Sequence, residues 1–369
     1  MRRMTTLAVP CLLAALTLAL SAVAQQRPMN EPDIQIDAAA RGQVIDSVLK
    51  RLNESYVFPE VAKNMESSIR ERMGRKEYEQ ITSAAELART LTEHLQAVSR
   101  DKHLRVRHSA EKLPADEGRR SGPSAEERER FRQFANRVNH GFERVERLPG
   151  NVGYIDLRGF MDAEAGAETV AAALNFLANT DALIFDLRQN GGGQPGMVRL
   201  ISSYLFGAEP VHLNSLYWRE GDRTEEFWTL KDVPGKRYMN KDVYVLTSNR
   251  TFSAAEEFTY NLKSLKRATV VGEATGGGAH PGGGFRVGEH FQMFVPTGRA
   301  INPITKTNWE GTGVEPDVKV TAQQALKTAH LMALKKSVEK LSDPRQKRGV
   351  QMEIESLEKE LGEMKAKQQ

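Results

Sequence analysis

Cysteine is nearly missing from this 369-residue chain, and the one present, Cys11, falls within the first twenty-four residues. Beyond that point the sequence can form no disulfide, thiolate metal site or cysteine nucleophile. A chain without thiols suits an oxidising compartment, where nothing can mispair. A strong charge of either sign is also lacking. Lys and Arg number 52 against 48 Asp and Glu, a net +4, too mild a balance to argue for nucleic acid. The longest apolar run, Leu7 to Leu20, is shorter than the ~20 residues that a membrane span needs. There is no H-E-x-x-H, and no His, Asp and Glu share a metal-ligand spacing. Absence of G-x-S-x-G counts against an α/β-hydrolase, and absence of a terminal Gly-Lys-Ser/Thr counts against a phosphate loop. No metal and no organic cofactor is expected.

What is present begins with an export signal. Arg2 and Arg3 precede the apolar run, and Ala22-Val-Ala24 before Gln25 fits the small-x-small cleavage rule. Residues 1–24 are therefore read as a signal peptide cut after Ala24, and the mature protein as secreted or periplasmic, with no membrane attachment after cleavage. Residues 36–100 read as a helical subdomain, because Val44, Val48, Leu49 and Leu52, then Leu87, Leu91, Leu95 and Val98, recur at three- and four-residue spacing. Residues 101–149 hold a short alternating strand, His103 to His108, and a charged connector.

From residue 150 to 322 strands alternate with helices. Val152 to Leu157, Ala182 to Leu187, Val243 to Thr247 and Thr269 to Gly272 are strand-like, and the helices between them imply parallel pairing with crossovers. Residues 323–369 form a helical tail in which Ile354, Leu357, Leu361 and Met364 make a short apolar seam. Docking within the chain and a homo-oligomer through this helix both account for that seam. The fold class is α/β.

Chemistry is expected at the carboxyl ends of the parallel strands. Thr247-Ser-Asn-Arg-Thr-Phe-Ser253-Ala-Ala-Glu256 sets a serine at a helix N-terminus, where the dipole favours anions. The same four residues, Ser253 to Glu256, also spell a capping box, so both readings stand. Asp186-Leu-Arg-Gln-Asn-Gly-Gly-Gly193 brings backbone amides close to whatever it faces and suits an oxyanion hole. Gly272-Glu-Ala-Thr-Gly276-Gly277-Gly278-Ala-His280 could form a binding edge for an extended peptide.

With Gly311-Thr-Gly-Val-Glu-Pro-Asp317, these segments resemble, in this order, the C-terminal processing (tail-specific) serine peptidases. The resemblance implies a ClpP/crotonase-like β-α core with Ser253 as nucleophile. Gly278 stands where the tail-specific lysine would be, and there is no room for a PDZ domain. The chain thereby resembles the branch of interphotoreceptor retinoid-binding protein and the tricorn protease core. There a histidine replaces the lysine and a late glutamate supports it, which implies His103 as base and Glu310 as its partner. By the same analogy Gly192 and Ala254 supply the oxyanion hole, and the glycine loop read above as a peptide edge makes Gly276, Gly277, Gly278 and His280 the expected substrate-binding residues. His280 is the alternative base. A serine endopeptidase acting on proteins or peptides is the function implied, and a non-catalytic carrier of retinoid- or fatty-acid-type ligands is its rival.

Overall fold

A computed structural model describes residues 32–114 and 125–367. The signal peptide expected over residues 1–24 lies outside the described residues, as do residues 115–124 of the charged connector. Among the described residues, no helix is long and apolar enough to cross a membrane.

Three helices come first, α1 (Ala38–Ser55), α2 (Pro59–Gly74) and α3 (Ala84–Ser99). Their starts follow local chemistry. Asp37 accepts a hydrogen bond from the Ala40 amide at 2.7 Å, Pro59 takes the first turn of α2, and Ser83 accepts from the Glu86 amide at 3.0 Å. The recurrent leucines of α3 are all buried. Arg100 ends α3 in the left-handed region at φ 57°, which turns the chain into Asp101 and His103. The helices pack on an antiparallel three-stranded sheet of β1 (Arg105–His108) with two later strands, and Leu49, Leu52, Leu91, Phe285 and Met293 share that core.

Next come α4 (Ala125–Arg137), β2 (Phe142–Leu148), β3 (Val152–Leu157), α5 (Ala163–Phe176), β4 (Ala182–Asp186) and α6 (Pro195–Ser203). The hairpin of β5 (His212–Trp218) and β6 (Arg223–Trp228) follows, then β7 (Asp242–Thr247), α7 (Ala254–Ser264) and β8 (Thr269–Gly272). Strands β9 (Gly282–Gly288), β10 (Phe291–Pro296), β11 (Gly298–Ile301) and β12 (Val318–Lys319) precede helices α8 (Ala322–Val338) and α9 (Pro344–Ala366). Strands β2, β5, β6, β9, β11 and β12 have no counterpart in the sequence reading; several are short, polar or glycine-rich and carry little alternation.

The central sheet runs β12-β8-β7-β4-β3-β2, parallel except for β2. Every residue of β4 is buried, as expected where helices cover both faces. The period of two sorts its strands cleanly. Ile155, Leu183, Phe185, Val243 and Val245 face α5, α6 and α7, while Tyr154, Ile184, Tyr244 and Leu246 face α8, on which α9 packs in turn. The apolar seam of α9 docks within the chain, with Ile354, Leu357 and Leu361 buried and Ile354 and Leu357 in the same cluster as Ala329 and Leu334 of α8. The chain thus has the expected α/β architecture, a β-α core with helices at both ends.

Candidate active site

The loops leaving β4, β7 and β8 meet at the carboxyl edge of the central sheet. Buried side chains tie them together. Asn190 donates from Nδ2 to the Leu157 carbonyl at 2.9 Å, and its own carbonyl accepts from the Phe252 amide at 3.0 Å. Thr251 donates its hydroxyl to the Leu187 carbonyl at 2.8 Å, and its carbonyl accepts from the Gly276 amide at 2.9 Å.

Ser253 stands at the N-terminus of α7 with φ 56° and ψ −121°, a backbone state that a residue with a Cβ rarely adopts. Such strain costs on the order of 1–3 kcal/mol and persists only where the surroundings enforce it. Glu256 helps to enforce it by accepting from the Ser253 amide at 2.8 Å. The same carboxylate accepts from the Thr275 hydroxyl at 2.5 Å, the Gly277 amide at 2.6 Å and the Gly278 amide at 2.9 Å. One buried glutamate therefore holds the serine turn and the second glycine loop in register. Burial outweighs those four bonds and lifts its pKa to about 7. The capping-box reading identified Glu256 as a local cap; its link to residues 275–278 depends on a fold contact that no local spacing shows.

Gly192 and Ala254 flank Ser253. A Cβ built on Gly192 would lie 2.8 Å from Ser253 Cβ and 3.0 Å from the Ala254 amide nitrogen, and its φ is 107°. Only glycine fits there, on both counts. The Gly192 amide donates to Asn190 Oδ1 at 2.9 Å. Ala254 opens α7, so its amide has no partner within the helix.

His103 and His280 are both brought to this edge, into unlike surroundings. The His103 ring packs against Phe252, the residue before Ser253, at 4.6 Å between centroids, and against Phe294 at 5.8 Å. Its amide donates to Asp101 Oδ1 at 3.0 Å, while its Nδ1 is buried and meets no protein partner. Burial holds its pKa down at about 4 despite the pull of Asp101.

A Cβ on Gly278 would lie 2.3 Å from Phe252 Cζ and 2.7 Å from His103 Cε1. The position that the resemblance assigns to a lysine is thus taken up by the imidazole of His103. Any side chain at 278 would collide with that ring and with Phe252.

His280 lies between two carboxylates. Its Nδ1 is 2.8 Å from Asp101 Oδ2 and 3.5 Å from Glu310 Oε2. Burial alone would lower its pKa, but the hydrogen bond and charge of Asp101, with Glu310, raise it. Glu310 accepts from the Ala279 amide at 2.5 Å, and burial with the charge of Asp101 lifts it to about 7. Tyr56 donates to Asp101 Oδ2 at 3.2 Å. The structure therefore sets Glu310 beside His280, whereas the resemblance implied a partnership with His103. Lys102 Nζ donates to the Gly276 carbonyl at 2.5 Å and closes the same loop from outside.

Residues 151–320 match peptidase family S41, and residues 37–143 match the N-terminal domain of that peptidase in eukaryotic IRBP. Among solved structures, a candidate peptidase from Parabacteroides merdae is 18% identical with a TM-score of 0.57, over 80% of this chain and 97% of that one. A lipoprotein from Streptococcus agalactiae is 16% identical with a TM-score of 0.51, over 81% of this chain and 98% of that one. At these identities the likeness is one of fold.

Proposed function

The chain belongs to peptidase family S41, and from that premise we propose that it is a serine endopeptidase in which Ser253 is the nucleophile and His103 its base. The observation that carries this reading is the strained Ser253 turn at the head of α7, beside Gly192 and next to the packed rings of Phe252 and His103. A serine hydroxyl needs a base to attack a carbonyl. The His103 imidazole, neutral in its aromatic pocket, takes the hydroxyl proton as the tetrahedral intermediate forms. It then gives that proton to the leaving amine, and water repeats the sequence on the acyl-enzyme.

The oxyanion is held by the Ala254 amide at the positive end of α7 and by the Gly192 amide, which exchanges its bond to Asn190 for the new acceptor. Gly276, Gly277 and Gly278 line the substrate's backbone, held in place by Glu256. Asp101, His280 and Glu310 support the far end of that loop through Ala279. Export through residues 1–24 would place this chemistry outside the cytoplasm.

The test is peptide cleavage by Ser253→Ala beside the wild type. Loss of turnover by about 10³-fold or more, with unchanged melting, is expected; equal turnover overturns the reading. The match of residues 37–143 to the IRBP-type domain supports a second reading, carriage of an apolar ligand. Saturable retinoid or fatty-acid binding, with no fluorophosphonate labelling of Ser253, would favour it.

A further inference from the structure

The group behind the glycine loop has a chemistry of its own. Asp101, His280 and Glu310 come from three distant segments: the turn after α3, the loop after β8 and the loop after β11. One ligand atom from each lies within 4.8 Å of the other two. Asp101 is fully buried, His280 is 4% exposed, and the Glu310 side chain is 16% exposed. We propose that these three side chains form a binding site for one divalent transition-metal ion of the zinc class.

Three observations carry the proposal. Two carboxylates converge on a single ring nitrogen, His280 Nδ1, and one N–H cannot satisfy both. Asp101 Oδ2 receives it at 2.8 Å, Glu310 Oε2 stays at 3.5 Å, and Glu310 Oε1 is buried without a partner. A cation among them would take one ligand atom from each residue, in place of a single shared N–H.

The spacing also suits such an ion. Ligands at ~2.0–2.2 Å from a tetrahedral zinc lie ~3.3–3.6 Å from one another; the two histidine–carboxylate distances are 2.8 and 3.5 Å and all three ligand atoms lie within 4.8 Å of one another, so side-chain adjustment would close the set on an ion.

The set is held in place beforehand. Tyr56 donates to Asp101, the Ala279 amide donates to Glu310, and Phe58 stands edge-on against the His280 ring at 5.3 Å between centroids. Outer partners of this kind orient ligands.

The ligand type selects the metal. One imidazole with two carboxylates and an open fourth position favours zinc or cobalt over magnesium and calcium, which prefer six or more oxygens. Binding requires that the proton on His280 Nδ1 leave for solvent, and the partly exposed Glu310 gives the ion its way in. The sequence alone could not suggest the site, because positions 101, 280 and 310 share no ligand spacing.

The test uses the full chain, freed of metal by chelation and titrated with Co²⁺ alone, then with Zn²⁺ in competition. Expected are one Co²⁺ per chain, the intense visible absorption of a four-coordinate site, and its loss when Zn²⁺ is added. His280→Ala and Glu310→Gln should each weaken binding by at least about tenfold, and Ser253→Ala should leave it unchanged. Glu310→Gln keeps the volume and the partly exposed position, so it serves should His280→Ala not fold. Absence of that absorption, or equal affinity in a folded Glu310→Gln protein, overturns the proposal. Because no arm depends on peptide hydrolysis, its failure is separate from failure of the peptidase reading.

Discussion

Helix α7 packs on one face of the central sheet, and α9 packs on α8, which covers the other face; the two are built of opposite materials. The buried residues of α7 include Glu256, Glu257, Thr259 and Asn261, whereas those of α9 are Val350, Ile354, Leu357 and Leu361. Burying a carboxylate is costly unless bonds offset it, and both glutamates of α7 have pKa values lifted to about 7 by burial. The apolar seam of α9 carries no such cost and is stabilising in proportion to the surface it buries. The lesson is a division of labour. The face that positions reactive groups accepts local instability, and the opposite face supplies packing that asks nothing of its side chains but shape.

That contrast can be broken by experiment, the largest effect first. His103→Ala should lower kcat/KM for a peptide substrate by about 10³-fold, the usual weight of a general base, while the melting temperature moves little. His280→Ala should cost far less activity; a reversal of that order would move the base to His280. Gly278→Ala should reduce kcat by about tenfold or more, since a near-attack geometry tolerates little displacement and the new Cβ meets Phe252 and His103. Steady-state kinetics at fixed enzyme concentration would show it.

On the α9 face the expectation inverts. Leu357→Ala should destabilise the fold by about 2–4 kcal/mol in denaturant unfolding, and kcat should be untouched. Loss of activity in proportion to kcat/KM in that variant, at temperatures where it stays folded, would mean that the two faces are coupled.

The smallest effect concerns pH. Glu257 is buried beside Asn214 and Asn261, and burial raises its pKa from 4.5 to about 7. Between those values the folded chain holds a proton that the unfolded chain has lost. The stability it contributes is therefore full below about 4.5 and falls as pH rises through 7. Glu257→Gln should flatten that part of the curve measured by chemical denaturation. An unchanged slope would place the charge of Glu257 in water and end the contrast for this residue.

Much of the fold was legible in the residues. Three- and four-residue apolar spacing marked α1 and α3, and an unbroken apolar run marked β4, because burial on one or both faces imposes those patterns. Strand β9 was hidden, since Gly282, Gly283 and Gly284 have no side chains to alternate. The His103 to His108 strand begins two residues late, at Arg105, which leaves His103 in the turn where it reaches Phe252.

Around the site, the residues themselves marked a serine before a helix and three glycine-bearing loops, and the family resemblance added a pair of histidines with a late glutamate. Which partners those residues take was decided only by the tertiary structure. Glu310 turned to His280, Glu256 reached across to the loop at 275–278, and Gly278 yielded its space to an imidazole. The reason is physical. A spacing along the chain can encode one helix face or one strand face, but contacts between residues 101, 280 and 310 exist only once separate segments have closed on a common core.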